Sequence, residues 1–259
     1  MSERPLILIS NDDGVNAPGL AMLTEIARRH GDVVVMAPKH NSSGLSHSIT
    51  AGRPLRVWTL KEEPGYSQYM CDGTPADCVK MAAMFFCGRR PALVLSGINA
   101  GSNASINELY SGTMGVVREA CSDGYTAIGF SLLDEGQPRR ELHFEEAEPY
   151  IDAIIADVLQ HGLPAGITLN VNIPNLPRTE IKGMRVCRQG ASRWDESYER
   201  RVDPHGRPYY WLTGKFTVLD NSPDTDMWAL ENGYLSIVPG TIDSTHHASI
   251  PLLAERLNK

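Results

Sequence analysis

The sequence predicts an α/β protein: a mostly parallel sheet with helices on both faces, followed by a C-terminal β-hairpin segment. Three observations carry that expectation. Unbroken apolar runs at Leu6–Ile9, Val33–Met36 and Ala92–Leu95 lack the alternation of half-exposed strands, so each reads as a strand buried on both faces. Between them lie stretches with apolar residues at helical spacing, which makes strand–helix–strand units. Each run ends abruptly in a polar loop, and in open parallel sheets the carboxyl ends of the strands are where ligands bind.

Leu6–Ile9 runs into Ser10-Asn11-Asp12-Asp13-Gly14. Gly14 permits a sharp backbone turn there. Leu20, Leu23, Ile26 and Ala27 then share one helical face, Pro18 suits the first turn, and Arg28, Arg29 and His30 suit the last. After the second strand, Pro38 to Thr50 is a polar loop that topology brings beside the first acidic turn. Leu55 to Leu60 alternates weakly and fits an edge strand, with a turn over Lys61 to Gly65. Thr74 and Pro75 open a helix whose apolar face carries Val79, Ala82, Ala83 and Phe86.

The third strand ends in the polar stretch Ser96 to Asn103. Ser111-Gly112-Thr113 starts the next helix, with Met114, Val117, Ala120 and Cys121 on one side. A fourth strand is expected over Thr126 to Leu133, a charged turn over Asp134 to Glu141, and a long amphipathic helix from Phe144 through Val158. Ile167 to Ile173 and Met184 to Cys187 follow as strands. From Gln189 the composition shifts, which divides the chain into a core of residues 1–188 and a C-terminal segment of residues 189–259. Asp203 to Pro208 reads as a hairpin loop, and Tyr209-Tyr210-Trp211 suggests an arm that packs either on a partner chain or within one subunit. A strand over Tyr234 to Val238 and a tail helix over Ser249 to Leu257 close the chain.

Bulk properties exclude several classes. At 259 residues with 42% hydrophobic and 21% charged residues, the chain fits a globular core with a smaller appendage. A net charge of −7 argues against binding a nucleic-acid polymer. The five cysteines form no CxxC pair and are odd in number, which fits reduced thiols. The N-terminal apolar run is too short for a signal peptide, and no segment is long enough to span a membrane, so a cytoplasmic protein is expected.

Two adjacent carboxylates repel each other unless a positive charge lies between them. Asn11-Asp12-Asp13 can be a simple polar turn, or a divalent-cation site. Three strand-end loops, at residues 11–13, 41–48 and 96–103, converge on one sheet edge and offer only hard oxygen groups. Such a set suits Mg2+, Mn2+ or Ca2+ rather than zinc. The Ser111-Gly112-Thr113 helix start beside it offers free N–H groups and hydroxyls for a phosphate, or simply an N-cap. Metal and phosphate cradle together point to phosphoryl chemistry.

These residues resemble the SurE (survival protein E) nucleotidase family. The matching stretches are Ser10 to Val15 with Ala17-Pro18-Gly19, Ala37-Pro38 through Asn41-Ser42-Ser43-Gly44, Gly73 to Cys78, Ser96 to Gly101, Tyr110 to Thr113, and Thr225-Asp226 with Gly233-Tyr234. They run in the family's order across nearly the whole chain. The resemblance implies a Rossmann-like core, a C-terminal segment used in homodimer or homotetramer assembly, and one divalent cation per subunit held by Asp12, Asp13, Ser43 and Asn99. It implies phosphate removal from nucleoside 5′- and 3′-monophosphates, with short polyphosphate a further substrate, and places Gly44, Ser111, Gly112 and Thr113 against the phosphate. Ser102 to Leu109 and Pro239-Gly240-Thr241 depart from the family's usual forms.

Asp12 and Asp13 are the expected catalytic pair, with Asn11 orienting phosphate or water, and His47 is a candidate proton donor to the leaving oxygen. Because the two aspartates after the first strand are adjacent and not spaced as Asp-x-Asp, attack by water is favoured over a phospho-aspartate. Two other classes compete. A dinucleotide-dependent oxidoreductase lacks its glycine fingerprint after the first strand. A non-catalytic nucleotide sensor would use the same pocket.

Overall fold

The computed structural model describes residues 4–133 and 141–258. The expected charged turn from Asp134 lies outside the described residues except for Glu141. Among the described residues, a nine-stranded sheet organises the chain: β1 (Leu6–Ser10), β2 (Asp32–Pro38), β3 (Val57–Glu63), β4 (Tyr66–Cys71), β5 (Leu93–Ala100), β6 (Ala127–Leu132), β7 (Ile167–Ile173), β8 (Met184–Val186) and β11 (Leu235–Thr241). Its spatial order is β3-β4-β2-β1-β5-β6-β7-β11-β8. The run from β4 to β7 is parallel, while β3 and β11 run against their neighbours β4 and β7.

Helices cover both faces. α1 (Pro18–His30) and α4 (Phe144–His161) lie on one, α2 (Pro75–Met81) and α3 (Gly112–Ser122) on the other. The strand residues sort by parity, as a two-sided core requires. Ile7, Ile9, Val33, Val35, Leu93 and Leu95 meet Leu23, Ile26, Ile151 and Ile154. Leu6, Leu8, Val34, Met36 and Val94 meet Val79, Val116 and Val117. A short π-helical turn, Ala82–Phe86, extends α2 and leaves Met84 and Phe85 exposed.

The C-terminal hairpin pairs β9 (Ser192–Val202) with β10 (Pro208–Val218) as a separate two-stranded sheet. α5 (Asp226–Glu231) then leads into β11, so the chain beyond the hairpin returns a strand to the main sheet. α6 (Ile250–Leu257) ends the chain with no buried residue.

The departures from expectation are local. β5 does not stop at Leu95 but continues through Ala100, with a register shift between Ser96 and Asn99 that leaves its polar end buried. The edge strand β3 reaches Glu63, so the turn is shorter than expected, and it hairpins into β4, which had no clear sequence signal.

From β1 the chain goes first to β2 on one side and later to β5 on the other. The carboxyl ends of β1 and β5 therefore flank a point where the winding reverses, and a crevice opens there.

Candidate active site

Asp12 and Asp13 lie in the turn just after β1, and Asn99 lies near the end of β5, so the switch point brings them together. The turn after β1 is shaped by Asn11. Its side-chain amide donates to the Gly14 carbonyl at 3.0 Å and its carbonyl accepts from the Gly14 N–H at 3.2 Å. Gly14 sits at φ +105°, a conformation that favours glycine. Both ends of the Asn11 carboxamide are thus committed to the turn. Asn11 is fully buried, and neither it nor Asp13 is among the residues that line the cleft.

Asp12 is 3% exposed. Thr113 donates its hydroxyl to Asp12 Oδ1 at 2.5 Å, and the Gly112 and Thr113 N–H groups at the start of α3 also face the carboxylate. Burial nevertheless dominates and lifts the Asp12 pKa above the ordinary value. Gly112 packs so closely that a Cβ there would lie 2.8 Å from Asp12 Oδ2. Asp13 is half-buried and accepts the Ala100 N–H at 3.2 Å. Burial first, and the neighbouring Asp12 charge in addition, raise it to about 6.

The other expected site residues divide. Ser43, Gly44, Asn99 and Ser111 line the cleft with Asp12. Asn99 donates its amide nitrogen to the Gly101 carbonyl at 2.7 Å, which leaves its side-chain oxygen as the group on offer. Gly44 takes φ +76° with open space around it. Ser111 caps α3 by accepting the Met114 N–H at 3.0 Å. Gly112 and Thr113 are buried behind the cleft wall, where both contact Asp12.

His47 is also placed elsewhere. Its Nε2 meets Glu119 Oε2 at 2.7 Å, and Lys80 bonds the other Glu119 oxygen. Burial of Glu119 raises its pKa, but the bonds from Lys80 and His47 outweigh that and hold it below the usual value. His47 therefore ties its loop to α3 and does not reach the cleft. Ser46 fastens the same loop, donating its N–H to the Tyr110 carbonyl and its hydroxyl to the Leu109 carbonyl.

The cleft has a volume of about 560 Å³, within the range of small-molecule sites. Its far wall is the hairpin: Trp194, Glu196, Leu212, Thr213 and Gly214. The sequence signalled a hairpin but carried no sign that its root would close this cleft. Among the described residues, no lysine or arginine lines the cleft, although two carboxylates, Asp12 and Glu196, do.

Comparisons with known proteins identify the family and the fold. The family described as Survival protein SurE matches residues 7–196. The 5′-nucleotidase SurE of Christiangramia forsetii is 49% identical over 247 residues, which is 95% of this chain and 94% of that protein. Its counterpart in Flavobacterium johnsoniae is 47% identical over 258 residues, 99% of this chain and 98% of that protein. The crystal structure of the SurE protein from Aquifex aeolicus superposes with a TM-score of 0.82 at 38% identity, covering 97% of this chain and 99% of that one.

Proposed function

The chain belongs to the survival protein SurE family, and from that premise we infer that it is a phosphatase of nucleoside 5′-monophosphates. We extend the reading to 3′-monophosphates and short polyphosphate, and to dependence on a divalent cation. One observation carries it: a cleft that must admit a phosphate dianion presents Asp12 and Glu196 and, among the described residues, no cationic side chain. Phosphate could enter only with a cation to offset these charges.

The residues present fit such an ion. Among the described residues, no group of three or more His, Cys, Asp and Glu could hold a metal, so a site here must combine the carboxylates with neutral oxygens. Asp12 and Asp13 bring two carboxylates whose burial lacks a compensating charge. The Asn99 side-chain oxygen is uncommitted, and Ser43 offers a hydroxyl. We propose these four as the ligands of Mg2+, Mn2+ or Ca2+, in keeping with hard oxygen donors. A bound divalent ion would neutralise the corner and polarise a phosphate oxygen.

The chain's own groups do the rest. Thr113 fixes the Asp12 carboxylate, so Asp12 is held as an anchor and not presented as a free nucleophile. Ser111 and Gly44 bound the phosphate end of the cleft. Water attacks phosphorus as the bond to the ribose oxygen breaks. No histidine lines the cleft among the described residues, so the proton for that oxygen comes from solvent. The aromatic arm on β9–β10 and the exposed α6 are proposed to join copies of the chain into a dimer or tetramer. Among the described residues no helix is long and apolar enough to cross a membrane, and we propose a cytoplasmic setting.

The test is phosphate release from GMP and AMP, with and without a chelator, by the wild type and by Asp12→Asn. Turnover is expected to vanish with chelator, to return with Mn2+, and to fall at least about a hundredfold in the variant. Undiminished turnover by Asp12→Asn would remove the reading. Tight binding of nucleotide without any turnover would favour the sensor.

A further inference from the structure

The hairpin end of the cleft is not explained by phosphate or metal. We propose that it is a nucleobase subsite in which Trp194 is the stacking platform and Glu196 selects guanine. The inference rests on the nucleotide reading of the same cleft.

The platform is built and braced. Trp194 donates its indole N–H to Asn107 Oδ1 at 2.8 Å, and Phe216 meets it edge-on at 5.3 Å between ring centroids. The rest of the ring stays open to the cleft at 40% exposure. Aromatic rings held this way accept a base by stacking, at small cost in side-chain freedom. Three neighbouring bonds hold the hairpin root and the 102–110 loop together. Ser105 and Ser192 share a hydroxyl contact at 2.6 Å, and buried Asp226 accepts both the Ser105 and the Gly190 N–H at 2.8 Å. Thr225-Asp226, a sequence feature with no role in phosphate chemistry, thereby sets the distance between the two ends of the cleft.

Glu196 supplies the selectivity. It lies two residues along β9 from Trp194, on the same face of the strand, opposite Gly214 of β10. Gly214 has no side chain to cover it. Four neighbouring polar side chains are engaged: Asn107 with Trp194, Asn103 with Ser131, Ser102 with Asn172, and Thr213 with the Ser197 carbonyl. Glu196 has no hydrogen-bond or ion-pair partner among the described residues. An ionised carboxylate only accepts hydrogen bonds. Guanine is the common base with two adjacent donors on one edge, N1–H and the 2-amino group, and can meet both oxygens. Adenine and cytosine offer one amino group beside an acceptor, and uracil one N–H between two carbonyls.

The experiment compares kcat/KM for GMP, IMP, AMP and UMP, each divided by that for ribose 5-phosphate, which has no base. The wild type should favour GMP over IMP about tenfold, a two-point contact against one. In Glu196→Gln the GMP-to-IMP ratio should collapse toward one. In Trp194→Leu every nucleotide-to-ribose 5-phosphate ratio should fall, and Trp194→Phe should restore part of it. Equal use of GMP and IMP by the wild type, or a ratio untouched by Glu196→Gln, would overturn the proposal. Calorimetric binding of guanosine against inosine gives a readout that needs no turnover. Preference for guanosine without phosphate release would retain the subsite and sink the phosphatase reading. Turnover with no such preference would do the reverse.

Discussion

Asp12 and Asp13 are neighbours in sequence but meet different surroundings. Asp12 is enclosed by the start of α3, while Asp13 stays half-exposed against Ala100. Burial lifts both. For Asp13 the folded value of about 6 lies above the ordinary 3.8, so the folded chain holds this proton more tightly than the unfolded chain. The sign follows directly. In metal-free protein the ionised group costs stability above about pH 6, and that cost is relieved as pH falls from 6 toward 3.8. Asp13→Asn should therefore melt above the wild type at pH 7.5, by on the order of 2–4 °C, with partial exposure trimming the effect. The gap should close toward pH 4.5. A gap that did not change with pH in thermal scans would contradict this account. Sequence alone revealed the carboxylate pair, because adjacent acids after a buried strand are legible. It did not reveal that Gly112 and Thr113 contact Asp12 or that Asn11 braces the turn through Gly14, since a turn or cap residue looks the same whether it faces a ligand or a neighbour.

At the scale of elements, Asp226 carries more than the motif around it suggested. Its carboxylate receives the N–H groups of Ser105, Gly190 and Met227, joining the 102–110 loop, the hairpin root and α5 at one buried point. An asparagine has only one acceptor oxygen and would turn an N–H toward a donor. Asp226→Asn should cost about 2 kcal/mol or more in urea unfolding, since bonds to a charged acceptor are the stronger kind. A loss under half of that would show that the three segments are held by other contacts. The elements most legible in sequence are β1 and β2, from their unbroken apolar runs, and β7, α1 and α4, from apolar spacing that matches their burial. β4 escaped because Tyr66–Cys71 mixes Ser, Gln and Tyr in a strand covered unevenly. The polar half of β5 escaped because Ser96, Asn99 and Gly97 read as loop residues, although the sheet continues through them.

For the whole molecule, the order of strands decides where chemistry can occur. The reversal between β1 and β5 opens a crevice, and the hairpin closes its outer side. Neither strand order nor the hairpin's docking is written in local periodicity; both depend on contacts between residues distant in sequence. The hairpin also leaves Tyr198, Tyr210, Trp211 and Leu212 each 57% or more exposed, and α6 leaves Leu252 and Leu257 in the same condition. Apolar surface of this kind is usually covered by a partner. Light scattering should give a mass of two or four chains, and replacing Tyr210 and Trp211 with serine should lower it. A monomeric wild type would contradict the assembly proposed here.

The account rests on a cation at the acidic corner after β1. Crystals soaked in Mn2+ and measured at the manganese absorption edge test it most directly. The prediction is one strong anomalous peak per chain, touching the carboxylates of Asp12 and Asp13, the side-chain oxygen of Asn99 and the hydroxyl of Ser43. A saturating soak with no peak there, or with manganese bound only elsewhere, would contradict it.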